Sequence, residues 1–328
     1  MPCYSPLKGW KDEETGGIVF RKSREDQATF EVACGSCLGC RLDRSRMWAM
    51  RIVHESSLHE DSYGNCFVTL TYRSKAEATE EQKRDQFYIP DNWSLDKAHF
   101  RDFMKRLRHH FKDRKIRFFH CGEYGNTCRH NFDLRFWACP YCSLGRPHYH
   151  ACLFNIHFDD MEPYQTDRGE VRFTSPLLES IWKWGFVDVG ELNFESAAYV
   201  ARYILKKVDG KKAKEHYMYV DDDGVITFLE PEYCTMSRRP GIGKDWFDRY
   251  QDDCFPSDEV PVPGRGVFKK VPRYYEELFK HKDAMTHEEI KAMRQRFREE
   301  HGDEYTPERL MQKYKVKKAQ VGQLKRSV

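Results

Sequence analysis

His148 and His150 stand two residues apart in PHYHACLFN, a run from Pro147 whose apolar, aromatic content reads as a strand. Alternation in a strand sends both imidazoles to one face and Tyr149 to the other, so the pair can share a divalent ion. Downstream, Tyr199 and Tyr203 lie four residues apart in SAAYVARYILKK, followed by Lys206 and Lys207. On a helix the two hydroxyls share a face, with the lysines a further turn along. Phenols, an ammonium group and a metal together suit attack on a phosphodiester. The phenol oxygen is the nucleophile, the ion polarises a phosphoryl oxygen and lysine offsets developing charge. Two phenols allow consecutive cleavages. Each half alone is commonplace, since His-x-His arises by chance and tyrosines at helical spacing usually pack in cores. Glu123, in CGEYG at the end of the preceding strand, could complete a site of two histidines and one carboxylate with positions open for substrate. A Glu beside a Gly turn is more often a solvated surface residue.

A second set of residue types suits metal without suiting catalysis. The stretch NTCRHNFDLRFWACPYCSLG carries Cys128, His130, Cys139 and Cys142, four soft ligands ending in a C-x2-C knuckle, which fits a structural zinc. Separately, Cys34, Cys37 and Cys40 supply three thiolates, with Cys3 the candidate fourth. That spacing fits zinc, and it also fits iron-sulfur ligation or plain buried thiols. Twelve cysteines in a chain whose start, MPCYSPLKGW, lacks a basic-then-apolar leader argue against a disulfide scaffold.

The elements that must position these groups follow from periodicity. RLDRSRMWAMRIVHESSLHE reads as a helix with Trp48, Ile52, Val53 and Leu58 inward, and Cys66–Tyr72 as a strand. Ser94 can cap a helix from Leu95 to about Lys112, with Phe100, Phe103, Met104 and Leu107 inward. KIRFFHCGEYG is a second strand ending in a Gly turn, and PHYHACLFN a third. SPLLESIWKW is a short helix, FVDVGELN a fourth strand and SAAYVARYILKK a helix with Asn193 or Ser196 as cap. HYMYVDDDGVITFLEP is a hairpin about an Asp-Gly turn. Beyond Pro261 the composition turns to Lys, Arg, Glu and Met with helical periodicity. The expected fold is α+β with a central, mainly antiparallel sheet and flanking helices. Its parts are an N-terminal Cys-containing segment and helix at 1–64, a main domain at 65–260 with the Cys/His insertion at 126–146, and a basic helical extension at 261–328.

Composition narrows the class. Of 328 residues 33% are charged, and the cations cluster, as in Lys105 to Arg117 and the tail from Lys313. With 14% aromatic content this suits a phosphate backbone and stacked bases, although charge runs are usually solvated helix faces. No run approaches the roughly twenty apolar residues of a membrane span. SRRPGIGKDW sets Arg238 and Arg239 beside a Gly-rich turn where they could hold DNA phosphates. It lacks the Walker pattern, so no ATPase is expected and helicase activity must come from a partner.

The order of these motifs, a strand with Thr69 and Thr71, then His-hydrophobic-His, then Tyr-x3-Tyr on a helix, resembles the HUH endonuclease superfamily. More closely, CGSCLGCRLDRSR, GEYG, RPHYHACLF, AAYVARYILKK and MSRRPGIG resemble the replication initiation proteins of gokushovirus-type microviruses, over most of the chain from Met1 to about Tyr250. In those proteins the Gly-Glu-Tyr-Gly turn lies close to the histidine strand, whereas here the cysteine-bearing stretch intervenes. The resemblance implies a rolling-circle initiator of the two-tyrosine type that nicks one DNA strand, holds its end as a 5′-phosphotyrosine, then transfers and rejoins it. It implies His148, His150 and Glu123 as ligands of magnesium or manganese, Tyr199 and Tyr203 as alternating nucleophiles, and Lys206 or Lys207 as the assisting cation. Single-stranded and supercoiled circular DNA, host polymerase and host helicase are the implied partners, in the host bacterial cytoplasm. The rivals are a plasmid relaxase, a single-strand transposase, and a non-catalytic zinc-containing DNA-binding protein.

Overall fold

The computed structural model describes residues 3–12, 15, 17–20, 30–125, 145–167, 170–202, 213–220 and 224–323. In chain order the elements are β1 (Leu7–Lys11), β2 (Ile18–Val19), β3 (Phe30–Val32), α1 (Leu38–Ser57), β4 (Asn65–Tyr72), α2 (Glu80–Arg84), α3 (Lys97–His110), β5 (Arg117–Tyr124), β6 (Pro147–Phe154), β7 (Glu162–Asp167), β8 (Glu170–Thr174) and α4 (Pro176–Trp182). There follow β9 (Gly185–Gly190), α5 (Phe194–Arg202), α6 (Ala213–His216), β10 (Met218–Val220), β11 (Ile226–Phe228), β12 (Tyr233–Met236), α7 (Lys244–Tyr250), β13 (Glu259–Val262), β14 (Gly266–Lys269), α8 (Arg273–Lys282), α9 (Ala284–Glu300) and α10 (Pro307–Gln323). They fall into two units, residues 1–47 with 255–258 and 273–328, and residues 48–254 with 259–272.

The larger unit is built on a seven-stranded antiparallel sheet in the order β12-β5-β6-β4-β9-β8-β7, which is the expected α+β architecture. β6 is buried along its whole length, as an inner strand covered on both faces must be. Its even and odd positions therefore meet different layers. Tyr149, Ala151 and Leu153 join Val68, Leu70 and Tyr72 of β4 against α3 and α4 in the main apolar core. His148 and His150 face the other way, on the side where Trp48 of α1 packs on Phe119 of β5 at 5.0 Å between ring centroids.

α3 shows how the core selects its elements. Phe100, Phe103, Met104 and Leu107 recur at three- and four-residue intervals and all four are buried. Truncating Phe103 or Leu107 to Ala should cost about 3 kcal/mol in lost transfer and cavity energy. The cap differs from expectation: the Asp96 side chain accepts from the Ala98 N–H, and the helix begins at Lys97. Ser94 Oγ instead accepts from the Glu230 N–H at 2.9 Å, because burial commits that hydroxyl to a distant backbone donor.

Gly122 lies within β5, two residues before its end. A Cβ there would meet a Tyr233 ring carbon at 2.9 Å, Leu95 Cδ2 at 3.0 Å and Tyr149 Cδ1 at 3.2 Å, so only glycine lets these layers close over the strand. The strands on either side of the Asp-Gly sequence pair antiparallel as β10 and β11. β13 and β14 make a further hairpin before α8, so regular helix after Pro261 begins at Arg273. In the smaller unit, β1 to β3 form a sheet in the order β2-β1-β3. Helices α8 to α10 bury Tyr275, Ile290 and Leu310, with Phe255 stacked on Phe279 at 4.1 Å. No helix among the described residues is long and apolar enough to cross a membrane.

Candidate active site

Strand pairing decides which side chains meet. β5 runs antiparallel to β6 with Glu123 opposite His148 and Cys121 opposite His150, and β4 places Thr69 opposite His150 on the other flank. All these positions share one face. Glu123, His148 and His150 are buried, and burial of three polar groups demands that they satisfy one another. Glu123 Oε1 lies 2.8 Å from His148 Nε2 and 3.1 Å from His150 Nε2.

The remaining ring nitrogens are held from behind. His148 Nδ1 is 3.0 Å from the Arg146 carbonyl oxygen, which can only accept, so Nδ1 carries a proton and donates it. His150 Nδ1 is 2.9 Å from Thr69 Oγ1. With Nδ1 of His148 protonated, the Nε2 of a neutral ring presents a lone pair to a carboxylate oxygen. Two acceptors at that distance require a proton or a cation between them. Burial alone would raise the Glu123 carboxyl, but the hydrogen bonds and charge of His148 and His150 outweigh it and hold the group far below the ordinary carboxylate range. Two imidazole nitrogens and one carboxylate oxygen, oriented by outer partners and converging within 4.8 Å, form a group able to hold a metal ion.

α5 lies over the same face. Asn193 Oδ1 accepts from the Ser196 N–H while Ser196 Oγ accepts from the Asn193 N–H, both at 2.9 Å, a reciprocal cap that sets the helix start. Ala197, Val200 and Ala201 are buried and Tyr199 is half-buried beside them. The Tyr199 ring meets His150 edge to face at 5.2 Å between centroids, and Phe67, stacked on His150 at 5.6 Å, lies against it at 6.1 Å. The histidine face and the tyrosine helix are thus on one side of the sheet.

Other predicted residues fall elsewhere. Tyr203, Lys206, Lys207, Cys128, His130, Cys139 and Cys142 lie outside the described residues. Arg238 and Arg239 are exposed just past the end of β12, where the neighbouring Ser237 exchanges hydrogen bonds with Phe118. Phe118 is five residues along β5 from Glu123, roughly 16 Å at strand rise, so these arginines serve the opposite end of the sheet from the triad. Cys3, Cys34, Cys37 and Cys40 converge into a second group able to hold a metal, in the smaller unit.

Thr69 was named in the motif order without a role, and its hydrogen bond to His150 is visible only once β4 is registered on β6. Two further neighbours of the site escaped motif reading. Asp188 of β9 pairs with the same Thr69 and forms an ion pair with Arg172. Burial raises its carboxyl, and Arg172 draws it back only in part. Arg202, exposed one turn beyond Tyr199, sets its guanidinium 5.9 Å from the Tyr199 ring. Its signal in the sequence was a cation three residues past a candidate nucleophile.

Comparison with known proteins gives a consistent result. The family model for replication-associated protein ORF2/G2P matches residues 65–132 and 127–208. The chain is 30% identical over 290 residues to replication-associated protein VP4 of Bdellovibrio phage phiMH2K, covering 85% of this chain and 78% of that one. It is 30% identical over 293 residues to replication-associated protein ORF2 of Spiroplasma virus 4, covering 84% and 79%. With replication-associated protein ORF4 of Chlamydia phage 1 it shares 29% over 263 residues, 77% of this chain and 55% of that one. No solved structure matches.

Proposed function

Because the chain belongs to the replication-associated protein ORF2/G2P family, we propose that it starts rolling-circle replication by nicking one strand of a circular DNA, with a tyrosine as nucleophile. The observation that carries this reading is the edge-to-face approach of Tyr199 to His150, which brings a helix-borne phenol to the rim of a buried two-histidine, one-carboxylate group. Glu123, His148 and His150 would hold magnesium or manganese, hard ions that leave positions for substrate oxygen. When bound, such an ion polarises a phosphoryl oxygen.

The chain's own groups do the rest. The Tyr199 phenol gives up its proton to solvent and its oxygen attacks phosphorus. The bond from phosphorus to the 3′ oxygen breaks as the bond to the phenol oxygen forms, and the departing oxygen takes a proton from solvent, leaving a free 3′ hydroxyl and a 5′-phosphotyrosine. The 3′ hydroxyl primes a host polymerase, while strand separation falls to a host helicase. Rejoining reverses the step: a 3′ hydroxyl attacks the phosphotyrosine and releases the phenol. The number of phosphoester bonds is conserved, so ATP is not consumed. Tyr203 serves as the alternate nucleophile and Lys206 or Lys207 as the assisting cation. Arg202, already beside the Tyr199 ring, is placed to steady a phosphate, and Arg238 and Arg239 hold DNA farther along.

The test is incubation of the purified chain with origin-bearing single strands and magnesium or manganese. A covalent protein–DNA adduct that survives denaturant and disappears when both Tyr199 and Tyr203 become Phe supports the proposal. Tight binding with no adduct favours the non-catalytic DNA-binding rival.

A further inference from the structure

Among the described residues the proposed reaction leaves one built cluster unused, and it lies wholly in the smaller unit. Cys3, Cys34, Cys37 and Cys40 offer four sulfurs that all lie within 4.8 Å of one another. Cys3 Sγ is 3.6 Å from Cys34 Sγ and 3.8 Å from Cys37 Sγ, far beyond the roughly 2.05 Å of a disulfide. A tetrahedron whose corners stand about 2.3 Å from its centre, the zinc–thiolate distance, has edges of about 3.8 Å. The separations of 3.6 and 3.8 Å match that edge. An iron-sulfur cluster spreads its thiolates around several irons and needs a wider cage, so this spacing selects a single ion.

The surroundings point the same way. Backbone N–H groups of Cys34, Cys37 and Tyr4 donate to the sulfurs of Cys3, Cys34 and Cys37, each at 3.3 Å. Donors aimed at sulfur stabilise the thiolate, the form that ligates metal. Cys40 sits in the first turn of α1, where the helix dipole also favours negative charge. All four are only half-buried, unlike Cys66, Cys121, Cys152 and Cys254, which are buried thiols of ordinary core type. Four half-exposed thiols gathered from residue 3 and residues 34–40 are not explained by core packing.

We propose that Cys3, Cys34, Cys37 and Cys40 bind one tetrahedral structural zinc ion. The ion ties the chain's first residues to the start of α1. Through Tyr4, whose ring meets Tyr314 of α10 edge-on at 5.8 Å, it also fixes them against the last described helix. The site is independent of the nicking assignment, since none of its ligands belongs to the triad or to α5.

Metal analysis of the full-length chain tests this by difference. Cys37→Ser and Cys40→Ser should each lose a single equivalent of zinc relative to the parent, while Cys254→Ala should lose none. To separate ligand loss from misfolding, the parent is alkylated with iodoacetamide before and after chelation, with the modified cysteines mapped by mass. The four should be shielded together before chelation and react together after it, while protease cleavage near Tyr4 and in α10 increases. Unchanged zinc in both serine variants, stoichiometric iron in place of zinc, or prompt alkylation of all four without chelator would overturn the assignment.

Discussion

His148 Nε2 and Glu123 Oε1 stand 2.8 Å apart on neighbouring strands, directly opposite each other in the β5–β6 ladder. Their separation is set by strand pairing and not by a flexible loop, so the triad is preorganised by the same hydrogen bonds that build the sheet. Changes at its members should therefore remove chemistry without dismantling the fold.

Replacing Glu123 by Gln, or His148 by Ala, should abolish nicking and lower manganese affinity by at least about tenfold, the smaller end of what even outer-partner changes cost. DNA affinity should be largely retained, because phosphate contacts supply most of it. Calorimetric manganese titration and filter binding of an origin-bearing strand read the two effects separately. Normal nicking by either variant would remove that residue from the site.

In the proposed site Thr69 would act through His150, as a positioning residue. Thr69→Val keeps the shape but deletes the hydroxyl 2.9 Å from His150 Nδ1, so manganese affinity should fall roughly 10- to 100-fold. Thr69→Ser should restore it. A purely structural role would instead show as a lowered melting temperature in Val with no metal defect, and that pattern would count against the assignment.

Tyr199→Phe keeps the ring that packs on His150 and Phe67. Either single change, Tyr199→Phe or Tyr203→Phe, should leave one cleavage but impair the paired transfer. The double variant should form no adduct. An adduct from the double variant, seen on a denaturing gel with end-labelled DNA, would refute both tyrosines as nucleophiles.

Two buried histidines outside the triad predict how stability depends on pH. Burial lowers His54 from 6.5 to about 4, where it stacks on Trp246 at 3.6 Å, and lowers His120 to about 3, stacked on Phe100 at 3.4 Å. Above pH 6.5 both rings are neutral whether the chain is folded or not. Between about 6.5 and 4 only the unfolded chain takes up their protons, so stability should fall with pH, by about 3 kcal/mol for His54 alone. Melting curves from pH 7.5 to 4.5 measure the slope, and His54→Phe should flatten it. An unchanged slope in that variant would mean His54 is already charged in the folded chain.

What the sequence determined by itself was whatever repeats with the backbone's own period. A two-residue alternation sufficed to put His148 and His150 on one face, and three- and four-residue intervals sufficed for the buried stripe of α3, because both follow from local geometry. Tertiary structure alone decided the rest. Glu123 joins the histidines only because β5 and β6 pair with that residue opposite His148, and a slip of one residue would turn it to the other face. Thr69 reaches His150, Cys3 reaches residues 34–40, and Ser94 is diverted from the start of α3 to Glu230, each through a partner far away in the chain. Such pairings depend on which surfaces bury one another, and no local period encodes them.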